Sequence, residues 1–219
     1  MISVADLIKD NQVAGNYFGY ETYVRGDLES GLLENRRGDR LIALPTTLIQ
    51  ALYAGLEKET GQAAGLVLFN CGKWWGKNFY TRFNEEVTDY YNAPLATIDM
   101  SIFLNSLKQF WTTHGWGKLE FDPSYQNQGF ILINTSQSAY SQQLSGQARP
   151  SCYLESGILT SFFSHLTGRD LIAVQTACES MGSDVNRFVI GLGDRLSIVS
   201  SLIEQGLDHQ AIMNRLLSA

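Results

Sequence analysis

Apolar residues recur along this chain with two periods, and the alternation between them organises the reading. Residues 15–44 show no long period. Tyr17, Phe18, Tyr20 and Tyr23 lie among glycines and charges, and a turn-rich stretch leads to a short strand over 41–44. A helix is expected over 45–60. Thr46 and Thr47 offer a capping oxygen, Leu48, Ile49, Leu52 and Leu56 follow at helical spacing, and Gly61 closes it. A second helix is expected over 63–83, with Leu66, Phe69, Trp74 and Phe79 on its apolar side. A third, over 97–114, has a wide stripe of Ile98, Ile102, Phe103, Leu107, Phe110 and Trp111.

After Trp116 the period shortens. Residues 118–121 and 129–135 read as strands around the turn signal Asp122-Pro123-Ser124. The stretch 136–150 is polar and reads as a surface loop. A helix over 152–166, strands over 171–177 and 185–190 with a turn at 181–184, and helices over 196–205 and beyond Asp208 complete the chain. Asp194 is expected to cap the first of these last helices, and Gly206 to stop it. Strands joined in hairpins predict an α/β fold of the α+β kind: an antiparallel or mixed sheet with helices packed on it. Residues 1–219 read as a single domain, with 1–44 an N-terminal strand and loop extension and 45–219 its core.

Composition narrows the function. With 44% hydrophobic residues, the 219-residue chain has ample material for a core. The net charge of −6 and the absence of a basic run argue against nucleic acid and anionic lipid, which bind through neutralised phosphates. No stretch approaches the roughly 20 apolar residues of a membrane span, and residues 1–10 lack the pattern of a signal peptide. Three cysteines do not make a disulfide framework. A reducing, cytoplasmic setting is expected, with peripheral membrane association left open.

Three features bear on chemistry. His114, His165 and His209 sit on or at the ends of helices, with no nucleophile elbow nearby, so no catalytic triad is indicated. Gly191-Leu192-Gly193 lacks the third glycine and the βαβ setting of a dinucleotide site. Aromatic residues crowd two helices. Trp74, Trp75, Phe79, Phe103, Phe110, Trp111 and Trp116 either fill a core or dimer interface, or line an apolar pocket for a flat or hydrocarbon ligand. Trp74 and Trp75 point about 100° apart on a helix, so one can face the core while the other faces a groove or partner.

The segment 152–191 carries the most specific pattern. Cys152 opens a helix containing Gly157; Gln175 and Cys178 end a strand; Gly182 turns the chain; Asn186 and Phe188 open the closing strand. These residues resemble the end of a 4-vinyl-reductase domain. The stretch from Tyr17 through Trp116 resembles cyanobacterial members associated with photosystem biogenesis. The resemblance implies a fold like that of TRAPP-type trafficking subunits and a homodimer. It also implies a role in binding a hydrophobic ligand or tetrapyrrole, in photosystem or pigment–protein biogenesis, peripheral to the thylakoid membrane. An assembly factor that binds proteins and no ligand is the alternative. A tetrapyrrole vinyl reductase is the third reading, and no nicotinamide or flavin site supports it.

In zinc-binding members of that family the ligands correspond to Cys152, Gln175, Cys178 and Asn186. Two of these are amides here, and amide oxygens are weak partners for zinc. Zinc is therefore not expected. Gln175 and Asn186 are expected to bond to each other and to the backbone instead. Gln175 and Cys178, three apart, can converge only where the strand bulges or ends.

Overall fold

A computed structural model describes residues 16–27, 29–141 and 149–218. The chain divides into two compact units: Met1–Ala43 with Asn84–His114, and Leu44–Phe83 with Gly115–Ala219.

The first unit begins with the helical turn α1 (Tyr20–Tyr23), followed by the strands β1 (Val24–Asp27), β2 (Leu32–Asn35) and β3 (Arg40–Leu41), an antiparallel meander. The strand expected over 41–44 is confined to β3. The tight β2–β3 connection is held by the Asn35 side chain, whose Oδ1 accepts from the backbone N–H of Arg37 (3.0 Å) and Asp39 (2.8 Å). Phe18 packs edge-on against Tyr17, Tyr23 and Phe110, with centroids 5.0 to 5.4 Å apart.

The second unit opens with α2 (Thr46–Thr60). Its N-cap is Pro45 with no side-chain bond, so Thr46 and Thr47 lie inside the helix and do not cap it. Gly61, with positive φ, ends it. Next comes α3 (Ala64–Tyr91), which runs past the expected end at 83 and passes from the second unit into the first. Helix α4 (Met100–Thr113) belongs to the first unit and is capped by Asp99, which accepts from Ser101 N–H at 2.7 Å. Its stripe is buried as expected at Phe103, Leu107, Phe110 and Trp111.

Strands β4 (Lys118–Asp122), β5 (Ile131–Ser136), β6 (Leu171–Ala177) and β7 (Asn186–Leu192) form an antiparallel sheet in the order β4-β5-β7-β6. Between β5 and β6 lies α5 (Tyr153–Thr167). After β7 come α6 (Gly193–Leu196), α7 (Val199–Glu204) and α8 (His209–Ser218). Asp194 falls within α6, so its expected capping role is not realised. Asp208 does cap α8, accepting from Ala211 N–H at 2.8 Å. The fold is thus α+β, with helices packed on an antiparallel sheet.

Side-chain alternation along the strands gives the sheet two apolar faces. Leu132 and Val189, directly opposed, join Phe130 and residues of α6, α7 and α8 in one core layer. Ile133 and Phe188, the next opposed pair, point to the other face with Ala173. Helix α5 covers that face. Thr160 accepts from Ala173 N–H (2.8 Å) and Ser164 from Leu171 N–H (3.1 Å), so hydroxyls of the helix satisfy the outer edge of β6.

Helix α5 is buried continuously from Glu155 to Phe163 because α3 lies on its far side. The two helices meet at glycines. A Cβ on Gly72 would strike the Leu154 carbonyl oxygen, one on Gly157 the Phe69 carbonyl oxygen, and one on Gly76 the Ile158 carbonyl oxygen at 2.5 Å. Backbone-to-backbone contact of this kind excludes any side chain. The crossing also rotates α3. Gly72, Gly76, Phe79 and Phe83 face inward, and Leu66 (64% exposed) and Trp74 (82%) face solvent, contrary to the expected apolar side.

Candidate functional site

The four positions singled out on 152–191 converge on the α5 side of the sheet. Thr135 on β5 stands opposite Asn186 on β7, and Gln175 on β6 stands opposite Phe188, so these polar side chains share one face. A register shift between Gln175 and Ala177 then lets the chain bring Cys178 back toward the same point. Cys152, the N-cap of α5, arrives from above. All four residues are at most 5% exposed.

The two amides are locked. Gln175 Oε1 accepts from Cys152 N–H (2.9 Å), and Gln175 Nε2 donates to Asn186 Oδ1 (3.2 Å). Asn186 Oδ1 also accepts from Glu179 N–H (2.9 Å). Asn186 Nδ2 is within 3.3 Å of Thr135 Oγ1, Ser141 Oγ and Glu179 Oε2. The Glu179 carboxylate further accepts from Gln137 N–H (2.7 Å), Ser138 N–H (3.3 Å) and Ser141 Oγ (2.5 Å), tying the 137–141 loop to the β6–β7 turn. The expected amide pairing is present, and it joins a larger knot than the sequence suggested.

The sulfurs of Cys152 and Cys178 lie 3.6 Å apart. The hydrogen bond between them draws Cys178 down to about 5, aided by the Ser180 hydroxyl at 2.9 Å and opposed by burial. The same bond, with burial and the nearby Glu155 carboxyl, pushes Cys152 well up. The contact between the sulfurs thus acts on the two thiols in opposite directions. Zinc does not fit this donor set. Both amide oxygens are committed to N–H donors, and two thiols alone do not complete a tetrahedral site. Among the described residues, no group of three or more His, Cys, Asp or Glu side chains is placed to hold a metal ion.

Glu155, in the first turn of α5, was not singled out by sequence. It is wholly buried. Oε2 accepts from Ser138 Oγ at 3.2 Å, and Oε1 has no hydrogen-bond partner among the described residues. Burial pushes its carboxyl up to about 8, against the hydroxyls of Thr135 and Ser138, which lower it. Nothing in the local sequence Tyr153-Leu-Glu155 distinguishes it from an exposed first-turn acid.

The aromatic residues separate. In the second unit Trp75, 40% exposed, meets Trp116 edge-on at 5.9 Å, and Phe79 lies 5.8 Å from Trp116 and stacks on Phe162 at 4.6 Å. Trp74 stands out in solvent. Phe103, Phe110 and Trp111 are buried on α4 of the first unit. The interior around Phe79, Phe83, Phe162 and Phe163 is filled by these rings themselves, each at most 2% exposed.

Open space lies at the start of α5 instead. One cleft of about 260 Å³ is walled by Phe69, Tyr153, Ile172, Val174 and Ile203, with Arg149 at its edge. A second, of about 290 Å³, lies beside Tyr53, Ala64 and Leu68 and shares Tyr153 and Arg149 with the first. The Tyr153 ring is 41% exposed and would sit 3.0 Å from a Cβ on Gly65, so that glycine leaves room for it. Arg149 pairs with Glu204 at 3.3 Å, both more than half exposed, an ion pair of at most about 1 kcal/mol.

This arrangement defines an α+β domain with a buried polar knot beside two largely apolar clefts. Residues 136–192 match the family model of the V4R domain. The matched span includes Cys152, Gln175, Cys178 and Asn186. Comparison with curated proteins gives no match.

Among solved structures, the chain is similar to the phenol-responsive sensory domain of the transcription activator PoxR, solved with phenol. The two are 15% identical over 84% of this chain and 92% of that one, with a TM-score of 0.63. The chain and that domain share a fold. A vinyl-4-reductase family protein from Methanocaldococcus jannaschii is 18% identical over 68% of this chain and 82% of that one, with a TM-score of 0.45. Subunit 3 of a trafficking protein particle complex from Naegleria fowleri, covalently bound to palmitic acid, is 11% identical over 67% and 94%, with a TM-score of 0.49.

Proposed function

We propose that the chain is a non-catalytic binding module for a small hydrophobic molecule, received in the clefts on either side of Tyr153. The observation that carries this reading is the pair of clefts, about 260 and 290 Å³, sharing one half-exposed aromatic ring and one guanidinium. Apolar walls with a few polar groups are the usual character of a small-molecule site. Either cleft alone suits a single-ring aromatic molecule or a short hydrocarbon. A tetrapyrrole would have to lie across both, over Tyr153. The Arg149–Glu204 pair is weak enough to exchange for an anionic group on the ligand. The phenol bound by the PoxR domain supports the same class of ligand. Trp75 and Trp116 are the aromatic residues that we assign to an accessory apolar contact, with the buried Phe79 packed behind them.

The module is proposed to act as a homodimer. Helix α2 buries Tyr53 alone and leaves Leu48 and Leu52 at 42% and 58% exposure, a surface suited to a second copy. Its setting is proposed to be the biogenesis of photosystem or pigment–protein complexes, on the cytoplasmic side of the thylakoid membrane. That setting rests on the sequence resemblance alone. No helix among the described residues is long and apolar enough to cross a membrane. The same exposed leucines favour the second reading, an assembly factor that binds proteins and no ligand.

Titration of the purified protein with phenol, a short alkyl phenol and a tetrapyrrole precursor, followed by tryptophan fluorescence, separates the two readings. The binding reading expects saturable binding of at least one probe and a loss of at least tenfold in Tyr153→Ala. Saturable binding unaffected by Tyr153→Ala would move the site elsewhere. No binding of any probe, with a stable dimer, would favour the assembly factor.

A further inference from the structure

We propose that Cys152 and Cys178 are a peroxide-responsive dithiol, closing to an intramolecular disulfide on reaction with a small hydroperoxide and reopening with thiol reductants. The sulfurs are already in contact at 3.6 Å, and a bond at about 2.0 Å requires a further approach of less than 2 Å. Both residues stand where the backbone can give. Cys152 precedes the first turn of α5, and Cys178 follows the last residue of β6, beyond the bulge. The facing amides are tied to one another and to backbone N–H groups, and the other contacts of the sulfurs are a long one from Cys152 to Asn186 Oδ1 (3.7 Å) and the Ser180 hydroxyl beside Cys178.

The two sulfurs are not equivalent. Cys178 has the Ser180 hydroxyl at 2.9 Å and, though buried, is one of the residues walling a cleft of about 590 Å³ together with Thr176, Met181 and His209. Cys152, equally buried, lies against Asn186 on the other side of the contact. Cys178 is therefore the attacking sulfur and Cys152 the resolving one. In the first step the Cys178 sulfur takes one peroxide oxygen, the O–O bond breaks, and the second oxygen leaves as water or alcohol. In the second step the Cys152 sulfur attacks the Cys178 sulfenic acid and expels water. Two thiols are oxidised by two electrons, one hydroperoxide is reduced, and both thiol protons leave in the products. The bond would form next to Tyr153, the residue shared by the two clefts.

The third cysteine supplies an internal control, since Cys71 is exposed on α3. Full-length protein is treated with hydrogen peroxide at one to five equivalents, quenched, denatured and alkylated, and its intact mass and cross-linked peptides are read. The proposal expects two of the three thiols to be protected together, a peptide linking 152 to 178, and full recovery with dithiothreitol. Cys71→Ser should behave like the wild type. Cys152→Ser should instead yield a dimedone adduct on Cys178. Should that variant not fold, the wild type and Cys71→Ser still decide the matter. Three alkylated thiols at five equivalents, a link through Cys71, or a zinc ion that shields both thiols would each overturn the proposal.

Discussion

Replacing Glu155 by glutamine should stabilise the protein in alkaline buffer and leave it nearly unchanged in mild acid. The carboxyl is wholly buried on α5 with one oxygen unpartnered among the described residues, and it titrates at about 8 against an ordinary 4.5. Below 4.5 both folded and unfolded chains hold the proton, and its favourable contribution is fully present. Between 4.5 and 8 the unfolded chain releases the proton while the folded chain keeps it, so stability falls as pH rises, and the loss is complete above 8. At about 1.36 kcal/mol per pH unit the whole span is worth on the order of 5 kcal/mol, an upper figure because water reaching the ionised group would reduce it. Glutamine has the shape of the neutral acid and no proton to lose. Urea unfolding followed by tryptophan fluorescence from pH 5 to 9 should show Glu155→Gln ahead by about 2–5 kcal/mol at pH 9 and within about 1 kcal/mol at pH 5. His114 and His209, lowered chiefly by burial, act with the opposite sign. Their contribution is lost as pH falls below about 6.5; wild type and variant share these groups and the Cys152–Cys178 pair, so the difference between the two curves isolates Glu155. Parallel curves for wild type and variant, or a variant weaker at every pH, would refute the neutral buried acid.

Three further outcomes follow from the same geometry. Asn186→Ala strands the Glu179 N–H and the Gln175 amide; it should cost about 3 kcal/mol and lower Tm by roughly 6–12 °C, and a change under 2 °C would show the knot to be dispensable. Gly157→Ala should destabilise by about 3 kcal/mol because the new methyl meets backbone of α3, whereas Gly55→Ala, on open helix surface, should stabilise by about 0.5–1 kcal/mol; equal effects would contradict the close crossing. The double change Gln175→Glu with Asn186→Cys should create a four-ligand site that retains one zinc per chain through dialysis, measured by metal analysis; a zinc-free double variant would show that the site's geometry, and not its amides, excludes the metal.

The sheet and its helices were legible because strand alternation and helical stripes are local signals. Leu132 and Val189 against Ile133 and Phe188 is a pattern any reading by period two recovers. The amide pair at Gln175 and Asn186 was legible once the family spacing was noticed, and the bulge it demanded is present. What sequence could not give was set by packing between distant segments. Trp74 and Leu66 satisfy a helical stripe as well as Phe79 does, but the glycines at 72, 76 and 157 decide which stripe turns inward. The Gly72-x-x-x-Gly76 spacing was the available signal. Glu155 left none, because its burial depends on Ser138 and Thr135 from elements outside α5. The Tyr153 clefts likewise assemble from α2, α3, α5, β6 and α7, with Arg149 entering from the segment before α5.

Native mass spectrometry of the purified, full-length protein tests the central claim most directly, since it weighs chains, metal and retained ligand together. The account predicts a two-chain species without zinc that gains the mass of a small aromatic or hydrocarbon molecule, at most one per chain, and loses that gain in Tyr153→Ala. A species carrying one zinc per chain, or one that takes up no such molecule under any condition in which the protein stays folded, would contradict it.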